Sequence, residues 1–231
     1  MKIAVIGASG LIGTQLVESL TAEGHEVVAA SRSTGVDVLT GDGVADAVNG
    51  ADVVVDVVNS PSFEDAAVMN FFITSTTTLT AAAKAAGVGH YVALTIVGQD
   101  ELPGSGYMRA KVAQEKIIAG SGLPYTFVRA TQFDEFTDQI TDSLVAGDEV
   151  HVPDALIQPI PTWKVVSVLT RAAAAQPLNG CVNIGGPQKI SFEQMARDSL
   201  ARRGEKRAVV VDRAATYFGT ALQQRSLVTP D

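Results

Sequence analysis

A chain of 231 residues is long enough for one domain with a sizeable core, or for one domain with a small appendage. Its 17 basic and 25 acidic residues leave a net charge of −8, which excludes a general affinity for nucleic acid or acidic membrane. At 46% hydrophobic and 18% charged the chain is not disordered, and no apolar run approaches the roughly 20 residues that a membrane-spanning helix needs. The lone Cys181 excludes an internal disulfide and a thiolate metal cluster, and is expected to be a packed residue. His25, His90 and His151 lack metal-ligand spacing, so no metal is expected. The opening apolar run breaks at Gly7, too early for a secretory core segment, and a cytoplasmic address is expected by elimination.

Short β-branched runs alternate with longer Ala- and Leu-rich stretches through the first half. Strands are predicted at Lys2–Ile6, Glu26–Ala30, Val36–Leu39, Asp52–Val57, Tyr91–Thr95 and Tyr125–Arg129. Helices are predicted at Leu11–Glu23, Gly43–Val48, Phe63–Ala86 and Met108–Ala119. The strands are apolar on consecutive residues, as expected when both faces are covered. Such alternation predicts a parallel, doubly wound α/β sheet. Beyond Thr131 the pattern predicts helices over Phe133–Val145, Thr162–Ala175 (N-capped by Thr162) and Ser191–Arg203, and a short strand at Gly180–Ile184. The stretch from Asp154 to Pro161 is turn-rich, and Ser191 with Gln194 forms the spacing of a capping box. Residues 1–231 read as one domain, with substrate-cap elements mainly within residues 132–231.

Gly7-Ala8-Ser9-Gly10-Leu11-Ile12-Gly13 follows the first strand and opens the first helix. Gly7 permits a tight turn, Gly10 lets backbone N–H groups approach a pyrophosphate, and Gly13 lets helix and strand pack closely. The spacing is GxxGxxG, and its position between strand and helix points to nucleotide binding. An NAD site carries an acid at the end of the second strand; here that end reads Ser31-Arg32-Ser33, and Glu26 lies at the wrong edge. Arg32 is suited to a 2′-phosphate, with Ser31 and Ser33 as hydroxyl donors, which favours NADP over NAD.

Tyr107 and Lys111 stand four apart on one helix face. A neighbouring ammonium favours a phenolate, so Lys111 is expected to bring the Tyr107 pKa down toward neutrality and to hydrogen-bond the nicotinamide ribose. With GASGLIG, the Tyr107–Lys111 block and the Leu123–Phe133 run, the chain resembles the atypical short-chain dehydrogenases/reductases, and within them the NmrA-like, NAD(P)H-binding group. The resemblance implies a Rossmann-type doubly wound sheet with a small C-terminal cap. It places Val58, Asn59 and Ser60 beside the cofactor riboses, and Ala130, Thr131, Gln132 and Phe133 beside the nicotinamide. It also implies a serine at the end of the strand before Tyr107. Thr95 is the nearest hydroxyl, while the usual serine register falls on Ile96. The chain ends at Pro230-Asp231, short of the C-terminus that the resemblance implies.

Phe133, Phe136 and Trp163 are expected to line a substrate site, with Met69 and Phe72 facing in from the long helix; Asp134, Glu135 and Asp138 read as a solvated helix face. The leading expectation is an NADP-dependent oxidoreductase acting on a small apolar carbonyl or quinone, as a monomer or homodimer. Tyr107 would be its acid, Lys111 would orient the ribose, and Thr95 would polarise the carbonyl. The alternatives are an NADP-binding redox sensor without turnover and a nucleotide-sugar epimerase or dehydratase. A larger substrate domain than this chain offers is usual for the last.

Overall fold

In the computed structural model, which describes residues 1–230, the chain begins β1 (Lys2–Ile6), α1 (Leu11–Ala22), β2 (Glu26–Ala30), α2 (Val44–Val48) and β3 (Val53–Asp56). It continues with α3 (Asp65–Ala85), β4 (His90–Ile96), α4 (Gly106–Gly120) and β5 (Tyr125–Ala130). The remainder is α5 (Thr137–Ser143), β6 (Val145–Ala146), β7 (Glu149–Val152), β8 (Leu156–Ile157), α6 (Thr162–Ala174), β9 (Gly180–Ile184), β10 (Ile190–Ser191), α7 (Phe192–Arg203) and β11 (Ala208–Val211). The main sheet is entirely parallel in the order β2-β1-β3-β4-β5-β9. Leu16 and Leu20 of α1 with Val165 and Leu169 of α6 cover one face; Val48, Leu79, Ala83 and Ile118 of α2, α3 and α4 cover the other. This is the doubly wound Rossmann-like arrangement, and its strand order reverses at β1 and β3, where the C-terminal strand ends open a crevice.

The strand predicted at Val36–Leu39 does not form. Asp37 accepts Leu39 N–H at its carboxylate (2.8 Å) and Gly41 N–H at its carbonyl (2.8 Å), closing local turns. Gly35, Gly41 and Gly43 adopt positive φ around it. Asx-type bonding of this kind competes with a sheet ladder, and here it wins. Val36 and Val38 still pack into the core as loop residues. The sixth strand is instead β9. As the outer strand it leaves Cys181 exposed rather than packed.

Beyond β5, a third apolar cluster joins Leu144, Val150, Ile157, Phe192, Met195, Tyr217 and Leu227 to Leu102 and Met108, beside α4. The predicted helix over 133–145 forms only from Thr137 to Ser143, preceded by a single 3₁₀ turn at Asp134–Phe136. Glu135 is not idle on a solvated face. Its carboxylate accepts Thr162 N–H (3.0 Å) and the Thr162 hydroxyl (2.6 Å), capping α6 from outside, so Thr162 is the first residue of that helix and not its cap. Asp138 accepts from Ser199 and Arg202, which holds its carboxyl below the usual range. Ser191 caps α7 by accepting Gln194 N–H, but the Gln194 amide turns to Asp198, so half of the capping box forms. Among the described residues no helix is long and apolar enough to cross a membrane.

Candidate functional site

The glycine turn is fastened between two strands. Gly7 N–H and Ala8 N–H both donate to the Ala30 carbonyl at the end of β2 (2.9 and 3.1 Å). Gly7 has φ +93°, and a Cβ there would lie 3.0 Å from the Val57 carbonyl just past β3. At Gly13 a Cβ would lie 2.1 Å from the Gly7 oxygen. Both glycines are therefore required by the fold itself. Gly10 is not: its Cβ would meet only the Gly7 oxygen, at 3.4 Å, with extended backbone at φ −82°. A small, open position at a helix N-terminus, where the first backbone N–H groups have no intrahelical acceptor, fits a pyrophosphate. Ala8 and Ile12 turn their side chains into the core, leaving Ser9, Gly10 and Leu11 at the surface.

Past the same Ala30 carbonyl the chain enters Ser31-Arg32-Ser33. The two serine hydroxyls hydrogen-bond each other (2.8 Å), and Ser31 N–H is held by the Thr34 hydroxyl (2.9 Å). Arg32 is exposed, and its guanidinium has no partner among the described residues. A fixed loop thus carries a free cation beside the glycine turn.

On the other side of that turn, Val57 and Val58 lead into Asn59, and Tyr107 Oη donates to Asn59 Oδ1 at 3.0 Å. Asn59 Oδ1 also accepts Ser60 N–H (3.0 Å), and Ser60 Oγ accepts Ser62 N–H (3.2 Å). The structure therefore links the glycine turn to Tyr107 through the chain just past β3. Ser105 caps α4 by accepting Met108 N–H, which sets Tyr107 in the first turn of that helix. Burial pushes the phenol up to about 12.

The partners of Lys111 in the structure lie away from Tyr107. Lys111 is buried, donating to the Leu94 carbonyl (3.0 Å) and to Gln114 Oε1, with its Nζ 4.5 Å from the centre of the Phe72 ring. Gln114 Nε2 passes the connection to Asp56 Oδ2 (3.1 Å), which also accepts from Tyr91 Oη (2.9 Å). Burial pulls Lys111 down to about 8, against the opposing pull of Asp56 and Glu115, and burial raises Asp56. Neither Asp56, Gln114 nor Tyr91 was singled out from the sequence as a functional residue. The available signal was an acid at the end of an otherwise apolar strand, Val53-Val54-Val55-Asp56, where a lone carboxylate needs partners.

Thr95 is likewise committed elsewhere. Its hydroxyl donates to Glu115 Oε1 (2.7 Å), and Glu115 is clamped by Arg129. Alternation along β4 turns Thr95 to the face that carries α4, and Ile96 to the other. Thr131 is buried and donates to the Gln158 carbonyl, and Ala130 packs in the core. The neighbouring Gln132 is also buried, and its Oε1 has no partner among the described residues. Such an orphaned acceptor beside the end of β5 fits a ligand amide or hydroxyl.

The expected aromatic lining splits. Phe133 and Phe136 stack on each other (5.7 Å between ring centres), but their rings do not contact Tyr107, and Trp163 stands 66% exposed without a ring partner. Around Tyr107 lie instead Phe63 (5.2 Å), Phe72 (6.1 Å) and Phe218 (6.0 Å). Of these only Phe72 was anticipated; Met69 accompanies it in the same small cluster. Phe218 has φ +47°, a conformation that costs a bulky L-residue about 1–2 kcal/mol.

A family model described as NAD(P)H-binding matches residues 7–175. The photosystem II assembly factor Ycf39 of Cyanophora paradoxa is 28% identical over 147 residues, covering 58% of this chain and 46% of that protein. The match thus spans about half the length of that relative. MoeE5 in complex with UDP-glucuronic acid and NAD superposes with a TM-score of 0.76 at 19% identity, over 98% of this chain and 91% of that one. The dTDP-4-dehydrorhamnose reductase of Bacillus anthracis in complex with NADP gives a TM-score of 0.73 at 15% identity, over 92% and 85%. At these identities the likeness to solved structures shows the fold alone. With the glycine turn, the doubly wound sheet and a family match over most of its length, the chain belongs to the NAD(P)H-binding family.

Proposed function

We propose that the protein is an NADP-dependent reductase of a small, apolar carbonyl substrate, a quinone included, with Tyr107 as its proton donor. The observation that carries this reading is the Tyr107–Asn59 hydrogen bond, which sets an acid next to the strand end that supports the glycine turn. The cofactor's nicotinamide, when bound, supplies the hydride chemistry. Ser9, Gly10 and Leu11 would hold its pyrophosphate through backbone N–H groups, and Arg32 with Ser31 and Ser33 would hold the 2′-phosphate. Asn59, Ser60, Gln132 and Phe133 would line the nicotinamide end.

Tyr107 keeps its proton at neutral pH because burial holds the phenol near 12. It would therefore release that proton only to a strongly basic oxygen, such as an alkoxide forming on the substrate. Asn59 fixes the phenol's direction before substrate arrives. Lys111 serves from beneath: it ties α4 to the Leu94 carbonyl and balances Asp56, so its role in this reading is positioning.

A second reading, an NADP-binding sensor without turnover, draws support from one specific feature. Thr95 and Lys111, two of the three expected catalytic groups, are both committed to internal partners. One experiment separates the two. NADPH and NADH are titrated by fluorescence, and then a panel of aldehydes, ketones and quinones is followed by loss of nicotinamide absorbance, for wild type and Tyr107→Phe. The enzyme reading expects tighter NADPH than NADH binding, and turnover that falls by about 10²–10⁴-fold in the variant with unchanged cofactor affinity. NADPH binding without oxidation across the panel selects the sensor.

A further inference from the structure

Residues 217–220 form a tight two-residue hairpin, with Tyr217 N–H bonded to the Thr220 carbonyl (2.8 Å) and Thr220 N–H to the Tyr217 carbonyl (3.1 Å). Its central residues, Phe218 and Gly219, have φ of +47° and +74°, the pattern of a type I′ turn. Asn, Asp or Gly is favoured at the first of these positions, because a larger side chain is strained there. A phenylalanine in that place is held against the turn's own preference. Core burial does not explain it, since Phe218 is 44% exposed. Its ring lies against three others: Tyr217 edge-on at 4.7 Å, Phe63 at 5.5 Å and Tyr107 at 6.0 Å between centres. Phe63, from the segment between β3 and α3, is itself 50% exposed and meets Tyr107 edge-on at 5.2 Å. Two half-exposed rings from distant parts of the chain thus converge on the phenol, one of them in a strained backbone.

We infer that Phe63 and Phe218 form an aromatic lip beside Tyr107 that selects substrates carrying a flat aromatic ring next to the reacting carbonyl. The inference rests on the reading of Tyr107 as the proton donor. The exposed parts of the two rings offer a planar ligand aromatic surface to pack on, while a saturated ring of the same size would gain only contact area. Strain at a ligand-facing residue is the usual place for such a conformation to be tolerated. Because the two rings come from separate segments, the lip exists only in the folded chain.

The test is equilibrium binding of 2-naphthol and of decahydro-2-naphthol by calorimetry, on wild type, Phe218→Asn and Phe63→Leu. Asparagine suits the turn, so Phe218→Asn is expected to melt no lower than wild type, which separates loss of the lip from loss of the fold. The expected result is that each variant weakens 2-naphthol about tenfold and leaves the saturated alcohol within twofold. Equal binding of the two alcohols by wild type, or variants within twofold for both, would overturn the lip. Turnover of 2-naphthaldehyde and its saturated counterpart distinguishes the two proposals. Ring-selective binding without any NADPH oxidation keeps the lip and removes the reductase; reduction of both aldehydes at equal rates keeps the reductase and removes the lip.

Discussion

The glycine turn after β1 and the first two turns of α4 meet at the end of β3, yet they are built on different principles. The turn is a backbone object. Gly7 and Gly13 are there because carbonyls stand where a Cβ would be, and its polar groups are N–H donors whose directions follow from local chain conformation. The α4 site is a side-chain object. Tyr107 and Lys111 share a helix face, but Tyr107 reaches Asn59 while Lys111 turns inward to Leu94 and Gln114. What separates them is a charge: Asp56, buried on β3, draws the network that holds the ammonium. A motif made of backbone geometry announces its structure, whereas a motif made of side chains announces only its residues.

The comparison breaks first at Lys111. Replacing Lys111 with Met leaves Asp56 without a compensating charge and Leu94 without its donor. Urea denaturation at pH 7 should show a loss of about 3–5 kcal/mol. The lysine's folded-state value of about 8 lies below the ordinary 10.5, so the unfolded chain binds more protons between these limits. Wild-type stability should consequently gain from Lys111 as pH rises from about 8 to 10.5, and the variant should lack that gain. If Lys111→Met instead kept its stability and lost only cofactor affinity, the ammonium would belong to the ligand and not to the fold.

The turn's own glycines sharpen the contrast at a smaller scale. Gly13→Ala forces a methyl into the Gly7 carbonyl and should cost about 1–3 kcal/mol of stability. Gly10→Ala has room in the protein and should stay within about 1 kcal/mol, while its NADPH dissociation constant rises about tenfold. Melting curves paired with titrations read both. Similar behaviour of the two variants would mean that Gly10, too, is a packing residue. The smallest effect belongs to Thr95→Val, which removes one bond to a carboxylate that Arg129 still holds. About 1 kcal/mol of stability should be lost, with steady-state turnover inside twofold. A drop of orders of magnitude in turnover would put the Thr95 hydroxyl at the substrate after all.

Legibility followed the same division across the molecule. The strands and helices that build the sheet were readable because burial on both faces demands consecutive apolar residues. Val36–Leu39 satisfied that rule in composition and still failed, since Asp37 and three glycines offered the backbone a local alternative. In the C-terminal hundred residues the helices at Thr162 and Ser191 were visible, but the Glu135 cap on α6 joins residues 27 positions apart and leaves no local trace. Phe63 and Phe218 were missed for the same reason. Nothing near either one in the chain marks it as a neighbour of Tyr107.

Order along the chain by itself determined the first βα unit, the glycine turn, the parallel sheet and the presence of Tyr107 in the first turn of a capped helix. These depend on backbone conformation and on periodicity, both of which are settled within a few residues. Only the tertiary structure decided where Lys111 and Thr95 point, which rings surround the phenol, and why Gly10 differs from the glycines on either side. Those outcomes depend on which charges, carbonyls and rings the fold brings within a few ångströms. A buried ammonium needs compensating charge nearby, and here Asp56, which Lys111 reaches only through Gln114, lies 55 residues earlier in the chain.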